Sequence, residues 1–231
     1  MNPVREESPL TTEIAPPGAA FLNGMNLAAN LKKIIKGEVI TDTQSLEFYS
    51  RDASLFSVQP ALAIKPRDAQ DIGELVCYAN RHGNISLTVR SGGTDMTGGP
   101  LTESVVLDFT RHFNKIIEVG DSYAITQPGV FYRDFEKETL KRGLLLPSYP
   151  ASKEICTVGG MVANNSGGEK TLTYGQTKNY VTALRVILAD GNEYEVKPLN
   201  KAKLEAKIAQ EDFEGKIYEQ IWQLVSTHHD F

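Results

Sequence analysis

The chain has few of the residues that usually carry covalent or metal chemistry: two cysteines, four histidines and one tryptophan in 231 residues. Cys77 and Cys156 stand far apart and neither has a CxxC partner. That argues against a disulfide scaffold or a zinc site and favours a reducing compartment, read here as the cytoplasm or a membrane periphery. His82, His112 and the His228-His229 pair match no metal-ligand spacing, so no metal is expected. No run approaches the roughly 18 apolar residues of a bilayer-spanning helix, so no transmembrane segment is expected. The opening "MNPVREESPLTTEIAPPG" lacks the apolar core of a secretory signal, and residues 1–20 read as a mobile lead-in. Basic residues are outnumbered, 24 against 29 acidic, for a net charge of −5. A broad nucleic-acid footprint is thereby excluded.

What is present suits an ordinary globular protein, with 41% hydrophobic and 23% charged residues. The length allows one large domain or two small ones. "NLAANLKKIIKG" predicts a helix with Leu27, Leu31, Ile34 and Ile35 on one face and Gly37 as its stop. "LAIKPRDAQDIGELVCYANRHGNISLTV" predicts a β-α-β unit. Its first strand ends near Lys65, and its second begins near Ile85. Asp68 caps the helix between them, Gly83 ends it, and Ile72, Leu75, Val76 and Ala79 form its apolar face. "SVVLDF", "KIIEV" and "YAITQPG" read as short strands. "VFYRDFEKETLKRG" reads as a helix with Phe131, Phe135 and Leu140 spaced for burial. A long loop from Leu144 to Asn179 follows, then a hairpin turning at Asp190-Gly191. The segment from Asn200 onward is helix-like, with an apolar stripe at Ile217, Ile221, Leu224 and Val225.

The informative stretch is "LTVRSGGTDMTGGP", which places four glycines directly after a strand. Such turns bind anions because successive backbone N–H groups can converge on phosphate oxygens, and the missing Cβ lets the ligand approach. Gly93 and Gly98 have Walker A spacing, but Gly99 stands where the lysine belongs. A Rossmann fingerprint fails too: the glycines are adjacent and a strand, not a helix, follows. Taken alone, Gly92, Gly93, Gly98 and Gly99 could equally make tight turns between strands. A second cluster, "TVGGMVANNSGG", repeats the mixture, and two clusters could line opposite sides of an extended cofactor with a diphosphate.

In order, "VRSGGTDMTGG", "ITQPGV", "YPASKEICTVGGMVANNSGG", "YG" and "LRVILADG" resemble the FAD-binding oxidoreductases of the vanillyl-alcohol oxidase / p-cresol methylhydroxylase (PCMH) type. Within them the chain is most similar to FAD-linked D-2-hydroxy-acid dehydrogenases, such as the glycolate oxidase flavoprotein subunit and D-lactate dehydrogenases. The resemblance runs from about Ser50 to Val196. It implies an α+β, PCMH-type FAD-binding domain over residues 21–231, built of two α/β subdomains at 50–110 and 111–231. It further implies that Arg90, Ser91, Gly92, Gly93, Thr94 and Asp95 wrap the diphosphate through backbone N–H groups, Thr94 and Asp95 adding side-chain hydrogen bonds. Gly98 and Gly99 would close the turn over the cofactor. Pro128 and Gly129 would lie near the adenosine end. Ala151, Ser152, Thr157, Val158, Gly159 and Gly160 would form the second wall. Asn164, Ser166 and Gly167 would border the flavin ring, and Val186 or Ile187 would offer backbone to the adenine. Relatives with covalent FAD carry histidine where Thr94 stands, so non-covalent FAD is expected. Cys156 reads as a small buried thiol rather than an attachment point. Tyr174, before Gly175, reads equally as a flavin-stacking ring or a core tyrosine.

Family members continue with a strand of the form GSEGTLGIVT and a cap domain holding the substrate pocket and histidine and glutamate metal ligands. Neither follows here, so the chain is expected to be a fragment or one part of a split enzyme, inactive alone. The family reaction passes a hydride from a 2-hydroxy acid to flavin N5, and electrons then go to a quinone, an electron-transfer flavoprotein or an iron–sulfur protein. No general base is identifiable in the sequence. Two alternatives remain: a non-catalytic flavin- or nucleotide-binding module working with a partner, and a reductase of the UDP-N-acetylenolpyruvoylglucosamine type using NADPH.

Overall fold

The computed structural model describes residues 26–228; the expected lead-in at 1–20 lies outside them. The first helix, α1, covers 26–31 and gives way to turns by residue 32, shorter than its apolar spacing predicts. There follow β1 (Glu38–Ile40), α2 (Thr43–Tyr49), β2 (Leu62–Lys65), α3 (Ala69–Arg81), β3 (Leu87–Arg90) and β4 (Val105–Asp108). These strands form one sheet in the order β1-β2-β4-β3. β1 runs antiparallel to β2, whereas β2, β4 and β3 are mutually parallel. The β-α-β unit therefore exists, but its two strands are not neighbours, because β4 is inserted between them.

The pleat explains the layering. Leu62, Ile64, Val105 and Leu107 face Ala28, Leu31, Ile35 and Leu75 of α1, the turn after it, and α3. Ala63 and Val106 point the other way, to Leu46 and Tyr49 of α2. Central parallel strands covered on both faces read as continuous apolar runs, as "VVLD" does. Asp68 caps α3 as expected, its carboxylate accepting from the Asp71 N–H at 3.1 Å.

A second core gathers Val130, Tyr132, Phe135, Cys156, Val158 and Met161. It is framed by the hairpin β5 (Ile116–Val119) and β6 (Ala124–Thr126), by α4 (Tyr132–Leu140), and by α5 (Val158–Ala163). Phe135 is buried in it, but Leu140 is 54% exposed and the fully buried ring is Tyr132, whose hydroxyl donates to the Leu146 carbonyl at 2.8 Å. The expected long loop is a second correction: it holds α5, α6 (Thr171–Tyr174) and a 3₁₀ turn at Thr177–Tyr180. Two glycines in "VGGMVA" mask α5 in the sequence; Val158 and Met161, buried in the second core, hold it in place.

The hairpin β7 (Leu184–Ile187) and β8 (Glu193–Val196) turns at Asp190-Gly191 as expected, with Gly191 at φ +82°. It docks on α3, where the Cys77 thiol approaches the Asp190 carbonyl at 3.5 Å. The last elements are α7 (Lys201–Ile208) and α8 (Phe213–Thr227). Ile221, Leu224 and Val225 of the predicted stripe are exposed. Among the described residues, no helix is long and apolar enough to cross a membrane.

Candidate functional site

The turn after β3 is where the physical constraints concentrate. β3 hands the chain on at Arg90, whose carbonyl still accepts from Phe109 N–H at 3.1 Å. After that the ladder stops. Among the described residues, the backbone N–H groups of Gly92, Gly93 and Thr94 have no protein acceptor. Gly93 lies in the left-handed region, at φ +64°. A left-handed glycine within a run of unpaired N–H groups forms a concave, electropositive nest suited to an anion.

Asp95 closes that turn from within. Its Oδ2 accepts from Thr97 Oγ1 at 2.7 Å, Gly99 N–H at 2.8 Å and Thr97 N–H at 3.0 Å. The Thr97 hydroxyl first, then these backbone donors, hold the carboxyl below its ordinary range. Through Oδ2 the Asp95 side chain braces the loop from within. Gly98, at φ +85°, lets the chain turn against the Phe56 ring.

The two glycine clusters meet. Ser91 Oγ and Thr157 Oγ1 are 2.5 Å apart. A Cβ on Gly92 would fall 2.3 Å from the Ile155 carbonyl oxygen, and one on Gly160 would sit 3.3 Å from Ser91 Oγ. The two backbones thus run in contact along a seam that tolerates no side chain at Gly92. Ser152 stands at the head of the turn that supplies Ile155, its carbonyl accepting from the Ile155 and Cys156 N–H groups at 2.9 Å; Ala151, beside it, is exposed.

The second wall differs chemically from the first. Val158 N–H donates to Val130 O at 2.9 Å, Gly159 N–H to Pro128 O at 2.8 Å, and Gly160 N–H to Thr157 Oγ1 at 3.2 Å. These three donors are spent inside the protein, so the Val158–Gly160 backbone offers shape and surface rather than free N–H groups. Pro128 is thereby joined to this wall. Gly129, in contrast, is buried: its N–H donates to Phe113 O at 2.7 Å, and a Cβ there would strike the Phe109 carbonyl oxygen at 2.0 Å.

Asn164 is exposed at the end of α5 and its Nδ2 donates to Ser166 Oγ at 3.3 Å. Ser166 is buried, and its carbonyl accepts from both Thr177 N–H and Oγ1. Gly167 is exposed against Thr171. Val186 and Ile187 lie on β7, whose hairpin contacts run to α3 rather than to the Ser91–Thr157 seam. Tyr174 is half-exposed, so it is not a core tyrosine. Cys156 is 4% exposed within the second core, and burial pushes its thiol up.

Sequence reasoning missed what lies beneath the turn. Arg90 is buried, its Nη1 donating to the Tyr49 carbonyl at 3.2 Å and its guanidinium lying 5.3 Å from the Phe48 ring centre. The Tyr49 hydroxyl donates to Asp108 Oδ2 at 2.7 Å; burial first, then this hydrogen bond and the carboxylate's charge, push its ionisation far up. No local signal marks these partners, which come from α2 and β4. Asp95 did leave one: D-x-T-x-G is the spacing of an Asx-type turn.

Among the described residues, no group of three or more metal-type side chains comes together. The glycolate oxidase subunit GlcD of Bacillus subtilis is 36% identical over 149 residues, covering 62% of this chain and 31% of its own. A D-2-hydroxyglutarate dehydrogenase of Pseudomonas putida is 27% identical over 196 residues, covering 83% of this chain and 20% of its own. The chain therefore spans well under half the length of these relatives. Among solved structures, 6-hydroxy-D-nicotine oxidase of Arthrobacter nicotinovorans superposes with TM-score 0.63 at 25% identity, over 74% of this chain and 38% of the other. An alkyldihydroxyacetonephosphate synthase shares the fold with TM-score 0.65 at 22% identity, over 76% and 38%. Residues 60–197 match the family described as FAD binding domain. The chain belongs to that family, as an FAD-binding protein of the vanillyl-alcohol oxidase / p-cresol methylhydroxylase type.

Proposed function

We propose that this chain is the FAD-binding part of an oxidoreductase acting on a D-2-hydroxy acid of the lactate, glycolate or 2-hydroxyglutarate class. One observation carries the reading. A turn with three unpaired N–H groups and a left-handed Gly93 lies directly against a second glycine cluster in which the Val158, Gly159 and Gly160 N–H groups are already bonded. Ser91 to Thr94 bind the diphosphate through the backbone, with Asp95 holding the turn closed. Gly98 and Gly99 let the chain pass close by. Pro128, Ala151, Ser152 and Val158 to Gly160 supply the facing wall, and Gly129 keeps the Pro128 segment tight against the protein. Asn164, Ser166 and Gly167 border the ring, and the backbone of Val186 or Ile187 serves the adenine.

FAD is held non-covalently. Thr94 has no ring nitrogen to form a histidyl link, and the Cys156 thiol is packed in the core. Bound FAD would supply the acceptor for a hydride from the carbon bearing the substrate hydroxyl. The chain's own residues bind and orient it, and the electrons then pass to a quinone, an electron-transfer flavoprotein or an iron–sulfur protein. Titrating the chain with FAD and following flavin fluorescence tests the site: saturable quenching that Gly93→Trp abolishes supports it, and full binding by Gly93→Trp overturns the contact. Bleaching of bound flavin by NADPH, with none by a D-2-hydroxy acid, would refute the substrate class.

A further inference from the structure

A charge sits under the cofactor turn without a counter-ion. Arg90 is 6% exposed, yet it makes no ion pair within 4.0 Å among the described residues. Its side chain makes one hydrogen bond, to a neutral carbonyl, and its Nε–H is buried with no acceptor. The guanidinium lies against the turn itself: a Cβ on Gly93 would fall 2.4 Å from Nη2 and 3.2 Å from Nε. Asp108 is committed elsewhere, to the Tyr49 hydroxyl and to the N–H and hydroxyl of Thr110. Asp52 has a buried Oδ2 without a donor, and the neighbouring Ala53 N–H donates to Asp95 O at 3.0 Å, so Asp52 borders the same turn. Burial works against the charged form of Arg90, and Asp52 is the strongest influence favouring it. A buried cation without a paired anion is costly unless something compensates it. The free N–H groups of Gly92, Gly93 and Thr94 add positive potential on the same turn, so an arriving anion meets both at once.

Resting on the reading of this turn as the diphosphate site, we infer that Arg90 is a positioning residue: from beneath Gly93 it makes diphosphate binding charge-assisted without touching the ligand, and Asp52 partly offsets it. Because Arg90 acts through its charge, the effect is electrostatic and must depend on the phosphate charge. A purely mechanical brace would affect charged and uncharged ligands alike.

The test is calorimetric titration of the full chain with ADP and with adenosine, taking the ratio of the two dissociation constants. Arg90→Met lowers the preference for ADP by about tenfold, a change of roughly 1.4 kcal/mol. Arg90→Lys, which keeps the charge but not the planar fork, retains part of the preference. Asp52→Asn raises it, because the guanidinium is then less neutralised, and this variant keeps the Ser54 N–H bond to Oδ1. Should Arg90→Met fail to fold, Arg90→Lys and Asp52→Asn carry the test. A wild-type preference for ADP that none of the three variants moves, both ligands weakening together or not at all, overturns the inference and leaves the site standing. A wild-type chain without any preference for ADP overturns the diphosphate site and the role of Arg90 with it.

Discussion

Gly92→Ala is the sharpest mechanical probe of the seam between the two glycine clusters. The added Cβ would lie 2.3 Å from the Ile155 carbonyl oxygen and 3.4 Å from the Cys156 Cα. Carbon and carbonyl oxygen rest at about 3.3 Å or more, so the backbones must part by roughly 1 Å. Gly92 is not in the left-handed region, so the cost is contact and not backbone strain. The same parting stretches the Ser91–Thr157 hydroxyl pair from 2.5 Å to the limit of a hydrogen bond. Overpacking of about 1–3 kcal/mol and loss of about 1 kcal/mol from the hydrogen bond give an expected destabilisation of about 2–4 kcal/mol. Urea unfolding followed by circular dichroism measures it, with the midpoint lowered and the slope unchanged. Gly83→Ala is the control: nothing lies within 4 Å of its Cβ, so it should be neutral or stabilise by up to about 1 kcal/mol through the unfolded state. Equal midpoints for the two variants would refute the seam, and unchanged FAD affinity in Gly92→Ala would refute its part in binding.

Thr157→Val leaves the Ser91 hydroxyl and the Gly160 N–H without their shared partner and should cost about 1–3 kcal/mol in the same unfolding assay. The Asp95 carboxyl is depressed below its ordinary 3.8, so its support of the turn is complete above that value and lost as pH falls through the lower folded one. FAD affinity should accordingly drop at the acid end in the wild type. In Asp95→Asn it should be weaker at neutral pH and lack that acid-side step; identical pH profiles would contradict the bracing role. Under native conditions iodoacetamide should modify half-buried Cys77 before buried Cys156, which should react only on unfolding; peptide mass spectrometry reads the order.

The turn was legible in the sequence where local composition sets geometry. Adjacent glycines after a β-branched strand forecast a bare turn, and the structure brings it against the second cluster. The α3 cap at Asp68 and the Asp190-Gly191 turn were legible for the same local reason. What escaped depends on residues distant in the chain. α5 has poor intrinsic helix propensity and is held by buried side chains and by backbone bonds to Pro128 and Val130. Arg90 stands in the sequence only as one residue of the turn, because Tyr49, Asp52 and Asp108, which surround its charge, come from elsewhere in the chain. Leu140 has helical spacing toward the core, but α4 turns Tyr132 and Phe135 inward instead.

The central claim is that the Ser91–Asp95 turn holds FAD without a covalent bond. The most direct measurement is the visible absorption spectrum of the chain after incubation with FAD and gel filtration, repeated on both fractions of a trichloroacetic acid precipitation. The account predicts flavin absorbance that travels with the folded protein and then moves wholly to the acid supernatant. Colour remaining with the pellet would contradict the reading of Thr94 and Cys156, and a colourless filtered protein would contradict the site itself.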